Sequence, residues 1–172
     1  MQQLYLTGNH AAEIAERLFT VLNIQPVGCR LLPFEVEGRR WGDALLLTPP
    51  PATPACNPVP CRVLLSPERI VMVPGAAEDV GAPGLLAALR LQLPMLLSRL
   101  TADLLACPAF RDALRTCLTS RIPVVVAAAD GTEDVLRSLT PAEDQLWIAV
   151  PDDAAGQSAL LEFLLPEAAL RF

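Results

Sequence analysis

Apolar residues along the chain recur in two rhythms, a two-residue alternation and a 3.6-residue period, separated by short polar or glycine-containing breaks. Gln3 to Thr7 is a short apolar run that predicts a strand, and Gly8-Asn9 is the turn signal after it. From about His10 to Asn23, Ile14, Leu18, Val21 and Leu22 fall at helical spacing with Ala11 and Ala15 beside them, leaving Glu13, Glu16 and Arg17 outside. Cys29 to Val36 and Trp41 to Thr48 read as extended around the turn Glu37-Gly38-Arg39-Arg40, a β-hairpin by spacing. Residues 48–60 carry six prolines, which suit neither a helix interior nor a central strand, so a surface loop is expected there, the most mobile internal stretch.

Arg62 to Leu65 and Arg69 to Val73 are short β-like runs flanking Ser66-Pro67-Glu68 and should pair. After Gly81-Ala82-Pro83-Gly84 a helix is expected to about Leu91, and a buried strand over Leu93 to Leu97. Pro108 to Ser120 repeats Phe110, Leu114, Cys117 and Leu118 at helical spacing, with Pro108 suited to a first turn. Ile122 to Ala128 is a continuous β-branched run of the kind buried on both faces of a parallel sheet. Asp130-Gly131-Thr132 turns into a helix over Glu133 to Leu139 with Thr132 as N-cap. A strand over Gln145 to Val150 and a final helix over about Ala154 to Leu165, with Asp152-Asp153 at its acidic start, complete the chain. Alternating strands and helices predict a single α/β domain over 1–172: a mostly parallel sheet with helices on both faces, plus a β-hairpin.

Composition narrows the chemistry. All thirteen basic residues are arginine, so no side chain forms a Schiff base or extends a lysine to a phosphate. His10 is the sole histidine, which excludes a site needing two. A net charge of −6 and the absence of a basic run argue against nucleic acid as a partner. The most apolar stretch, Leu85 to Leu105, is interrupted by Arg90, Pro94, Arg99 and Asp103, which argues against a membrane span. The N-terminus reads as no signal peptide, and five cysteines, an odd number, favour reduced thiols in the cytoplasm.

Gly8 to Ala15 lies between the first strand and the first helix, where a phosphate-binding loop would lie. It matches G-x-x-x-x-G-K-[ST] in length, with Gly8 in place and Asn9, His10, Ala11 and Ala12 as the intervening loop. Glu13, Ile14 and Ala15 stand at the glycine, lysine and hydroxyl positions. A carboxylate replaces the residue of closest approach, and neither a cation nor a magnesium ligand follows it.

Three further segments accompany that frame. Gly28 to Gly42 holds a glycine, the acidic turn Glu37-Gly38 and the hairpin return Arg40-Trp41-Gly42; Cys107 to Leu114 leads through Leu118-Thr119-Ser120 into Ile122-Pro123-Val124. Together they resemble the small P-loop nucleoside-triphosphatases of the cancer-related type, over most of the chain apart from the proline loop. The resemblance implies a P-loop fold. It aligns Ser98 and Arg99 with the Walker-B acids that position magnesium and orient the attacking water. The family's Asn-Arg pair before its last helix has no counterpart in Val150 to Gly156. Loss of the lysine, the hydroxyl and both acids implies abandoned catalysis: a binding or scaffolding protein with a protein partner, without catalytic residues, metal or cofactor. The alternative is a divergent protein that binds nucleotide with magnesium and hydrolyses it slowly.

Outside that frame, His10 reads as a capping or solvated residue, and Arg39-Arg40 as a solvated turn with the Trp41 stem in the core or as an anion or partner contact. Cys56 and Cys61, four residues apart, fall short of a zinc half-site and leave a thiol-based sensor as a third reading. Arg99 is expected near the start of the first helix, paired with Glu13 or Glu16 and filling the space a nucleotide would take.

Overall fold

The computed structural model describes residues 3–51, 56–66 and 69–172. Its eight strands are β1 (Gln3–Thr7), β2 (Val27–Val36), β3 (Arg39–Thr48), β4 (Val59–Ser66), β5 (Arg69–Met72), β6 (Met95–Leu100), β7 (Val124–Ala128) and β8 (Gln145–Ala149). They form one sheet in the order β5-β4-β3-β2-β6-β7-β1-β8. Pairings from β2 through β6, β7 and β1 to β8 are parallel; those of β2 with β3, β3 with β4 and β4 with β5 are antiparallel. The expected P-loop-like α/β architecture is therefore present, with the hairpin extended into an antiparallel wing.

All of β7, Val-Val-Val-Ala-Ala, is buried because the sheet's two cores meet it from opposite sides. One core is closed by α1 (Ala11–Val21) and α6 (Ala154–Arg171), whose Ile14, Leu18 and Phe19 pack with Leu161, Leu164 and Ala168. The other is closed by α2 (Ala82–Arg90), α3 (Ala102–Ala106), α4 (Pro108–Leu118) and α5 (Glu133–Arg137), with Leu85, Leu104, Phe110, Leu114 and Leu136 buried. Gln3 ties these layers together from inside. Its Nε2 donates to the carbonyls of Leu118 (3.2 Å) and Ile122 (3.3 Å), and its Oε1 accepts the Val124 N–H at 2.7 Å.

Several expected boundaries shift for identifiable reasons. Leu93 is exposed and Pro94 contributes only its carbonyl, to the Val27 N–H at 3.0 Å, so the strand expected over Leu93–Leu97 begins at Met95 and runs on to Leu100. The proline loop is shorter than 48–60, because Thr48 ends β3 and Val59-Pro60 opens β4. Pro60 faces Ala44 of β3 beside the irregularity between Asp43 and Ala44, a place in a sheet where a proline is tolerated. Positions 52–55 of that loop, and Pro67-Glu68 of the turn before β5, lie outside the described residues.

The last helix continues through Pro166 to Arg171, past the expected end at Leu165, because Leu164, Ala168 and the Phe172 ring on Phe19 (5.2 Å between centroids) hold it down. Thr132 occupies the N-cap position of α5, yet its hydroxyl donates to the Ala129 carbonyl at 2.6 Å instead of capping. A π-helical segment, Ala76–Gly81, precedes α2, and α3 adds a further turn of helix; neither has a sequence signal strong enough to predict it. No helix among the described residues is long and apolar enough to cross a membrane.

Candidate functional site

Parallel strands end at one edge, where each chain exit is free to face a ligand. β1 exits through Gly8, whose φ of +101° and close approach to the Val150 carbonyl suit glycine. β6 exits through a bulge: Ser98 pairs with Ala127 and Leu100 with Ala128, leaving Arg99 unmatched at φ +59°. β7 exits through Ala129 and Asp130. These three exits and the start of α1 surround an open cavity of about 300 Å³.

The antiparallel wing supplies the rest of the wall. Asp43, on β3, is 3% exposed, and a buried carboxylate requires partners. Its Oδ1 accepts from Arg40 Nη2 at 2.7 Å and its Oδ2 from Arg62 Nη1 at 2.8 Å; Arg62 Nε also donates to Asp103 Oδ2 at 3.0 Å. The Cys61 thiol donates to the Asp43 carbonyl at 3.4 Å, and burial, reinforced by the Asp43 charge, pushes that thiol up to about 12. At the β6 exit, Thr101 Oγ1 is sealed from solvent with no hydrogen-bond partner among the described residues.

Of the residues singled out from the sequence, Gly8, Asn9, Ala11, Ala12 and Arg99 line this cavity together. His10, Glu13, Ile14, Ala15 and Ser98 do not: Ile14 and Ala15 are buried in the core beneath α1, and Ser98 is buried within β6. The expected ion pair closing the cavity is not formed. Glu13 meets His10 Nδ1 at 3.4 Å and Glu16 meets Arg30 at 3.7 Å, while Arg99, on the wall opposite, has no ion-pair partner among the described residues. The left-handed bulge sets Arg99 at the cavity wall, so the space beside Gly8 is open.

Trp41 is half exposed, not seated in the core, because it lies beyond the stretch of β3 that β4 covers, which starts at Gly42. Arg40 belongs to the site through Asp43. Cys56 is exposed and Cys61 buried, and the described cysteines are all free. Asp43, Arg62, Thr101 and Asp130 complete the site and were not among the candidates. A lone aspartate in the apolar run Ala44-Leu45-Leu46-Leu47 was the available signal, since such a charge calls for a cationic partner elsewhere.

Strand order, helices on both faces of the parallel strands, and a cavity at their carboxyl ends beside the first strand–helix turn define a P-loop nucleoside-triphosphatase-like fold. Among solved structures the chain is similar to THEP1 from the hyperthermophile Aquifex aeolicus, with a TM-score of 0.68 and 16% identity over 97% of this chain and 98% of that one. It is also similar to a human cancer-related nucleoside triphosphatase, with a TM-score of 0.62 and 16% identity over 99% of this chain and 96% of that one. No protein-family model matches the chain, and no curated protein matches it in sequence.

Proposed function

We propose that the chain is a catalytically degenerate relative of the nucleoside triphosphatases, a cytoplasmic binding or scaffolding protein that engages a protein partner without hydrolysing nucleotide. The observation that carries this reading is the chemistry of the cavity wall. The side chain at the exit of β6 is the Arg99 guanidinium, and the buried carboxylate nearby, Asp43, has both oxygens engaged by arginines. A carboxylate so held has its charge met by two guanidinium groups and both oxygens already bonded, which disfavours it as a metal ligand.

A magnesium–nucleotide complex does not fit these residues. Ala15 has no hydroxyl and is buried, Asp130 is the one remaining carboxylate in the wall, and no cluster of three or more ligating side chains exists among the described residues. Support for a protein partner comes from the tips of the wing, where Val36, Trp41, Leu65 and Ile70 are exposed.

Phosphate release from magnesium-ATP and magnesium-GTP tests the reading. The expected rate equals that of a metal-free control. Turnover that disappears on substituting Gly8 or Arg99 would instead establish the alternative, a divergent nucleotide-binding protein with weak phosphohydrolase activity.

A further inference from the structure

The last helix, α6, is apolar on two opposite sides. Leu161, Leu164 and Ala168 form the side buried in the core it shares with α1. On the other side Ala155, Ala159, Phe163, Pro166 and Leu170 are all exposed, Phe163 by 65% and Leu170 by 85%. At helical geometry these five fall within an arc of about 80° and extend over about 22 Å of the helix. A surface helix ordinarily turns polar residues outward, so this second stripe is an apolar face with no cover among the described residues.

Beside the stripe lies a cavity of about 420 Å³ between α6 and the amino ends of the parallel strands, lined by Leu4, Pro123 and Leu146 together with Phe163 and Pro166. The stripe is also complementary to itself, because its residues are ordered by size. Ala155 and Ala159 stand toward one end, Phe163 in the middle, Pro166 and Leu170 toward the other. A two-fold axis beside Phe163 that runs two copies of α6 antiparallel sets Ala155 against Leu170 of the second copy, and Ala159 against Pro166 of the second copy. The two Phe163 rings then adjoin each other, each at the cavity it lines.

We propose that the chain pairs with a second copy of itself through the outer face of α6, antiparallel about a two-fold axis at Phe163. An isologous pair requires this order of sizes, and an unrelated partner does not. The stripe, about 22 Å long and about 10 Å wide, falls well short of the roughly 800 Å² per partner of a standard stable interface, so the pair is weak and forms at high concentration. Glu162 borders the stripe beside the axis in both copies, and these like charges weaken it further. The surface is separate from the cavity beside Gly8, so pairing is independent of the reading of that site.

Sedimentation equilibrium of the intact chain, from about 1 μM to about 500 μM, tests this. A monomer is expected at the low end and a closed dimer at the high end. Phe163→Ser should weaken pairing about tenfold or more, and Glu162→Gln should tighten it a few-fold, with urea midpoints at low concentration showing that both variants fold. Ala155→Leu and Leu170→Ala should each weaken pairing, the first by a clash across the axis and the second by a gap. The double variant should restore it, because small again meets large. A monomer at every concentration, open-ended oligomers, equal affinity in Phe163→Ser or Glu162→Gln, tightening by Ala155→Leu, or a double variant no better than the singles would each overturn the proposal.

Discussion

Arg62 Nη1 donates to Asp43 Oδ2 at 2.8 Å across neighbouring antiparallel strands, and the carboxylate it meets is almost wholly buried. Arg40 reaches the other oxygen, so one aspartate ties β3 to β4 within the antiparallel wing, and Arg62 carries the link on to Asp103 of α3. Without Arg62 that buried carboxylate would keep only a half-exposed partner.

Arg62→Ala is therefore expected to destabilise the protein by about 3 kcal/mol, the scale for orphaning one member of a buried pair. Asp43→Asn combined with Arg62→Ala should lose less than the sum of the two, because the uncompensated charge is gone. Urea unfolding of the single and double variants checks this, and strict additivity would show that the pair is not coupled.

Gln3→Leu should destabilise by about 3 kcal/mol, because the Val124 N–H and the carbonyls of Leu118 and Ile122 lose a partner inside the core. Chemical denaturation measures the loss. A change under about 0.5 kcal/mol would mean that those backbone groups find other partners.

Alkaline pH acts through buried thiols. Burial pushes Cys61 and Cys117 up to about 12 from the usual 9.0, and raises Cys29 as well. Above pH 9 the unfolded chain releases protons that the folded chain retains, so this contribution is complete below the unfolded value and is lost as pH climbs toward about 12. Urea midpoints should fall between pH 8 and pH 10.5, and Cys61→Ala or Cys117→Ala should flatten that slope. A native thiol-labelling experiment at pH 8 should modify exposed Cys56 well before Cys61.

Gly42→Ala places a Cβ against the Arg62 carbonyl, at a backbone position (φ +155°) where the strands have no room to part without breaking their pairing. We expect a loss of about 2–3 kcal/mol or more, with the neighbouring Asp43–Arg62 contact disturbed. Gly38→Ala, at a turn where a Cβ meets nothing within 4 Å, should lose only about 1 kcal/mol. Thermal unfolding of both compares close approach with backbone strain alone.

Much of the architecture is legible in the amino-acid order because its signals are local. The β-branched run from Val124, the helical period through Ile14 and Leu18, and the Glu37-Gly38 turn each specify an element from a few adjacent residues. Asp153 likewise announces the last helix, accepting the Gly156 N–H at 2.8 Å. The same local reading places Gly8 and its loop at the first strand–helix turn, since strand, glycine and helix are contiguous.

Only the tertiary structure decided what surrounds that loop. Asp43, Arg62 and Asp103 lie far apart along the chain, and neither their pairing nor the side of the sheet they reach follows from composition or spacing. The opposition of Arg99 to Glu13 looked like an ion pair in one dimension. The bulge in β6 sets Arg99 at the cavity wall while Glu13 turns to His10, and the cavity between the strand ends is open. Local propensity sets each element by short-range sterics and hydrogen bonding. Which charges meet depends on strand register and order, which emerge only when the whole sheet buries its apolar faces.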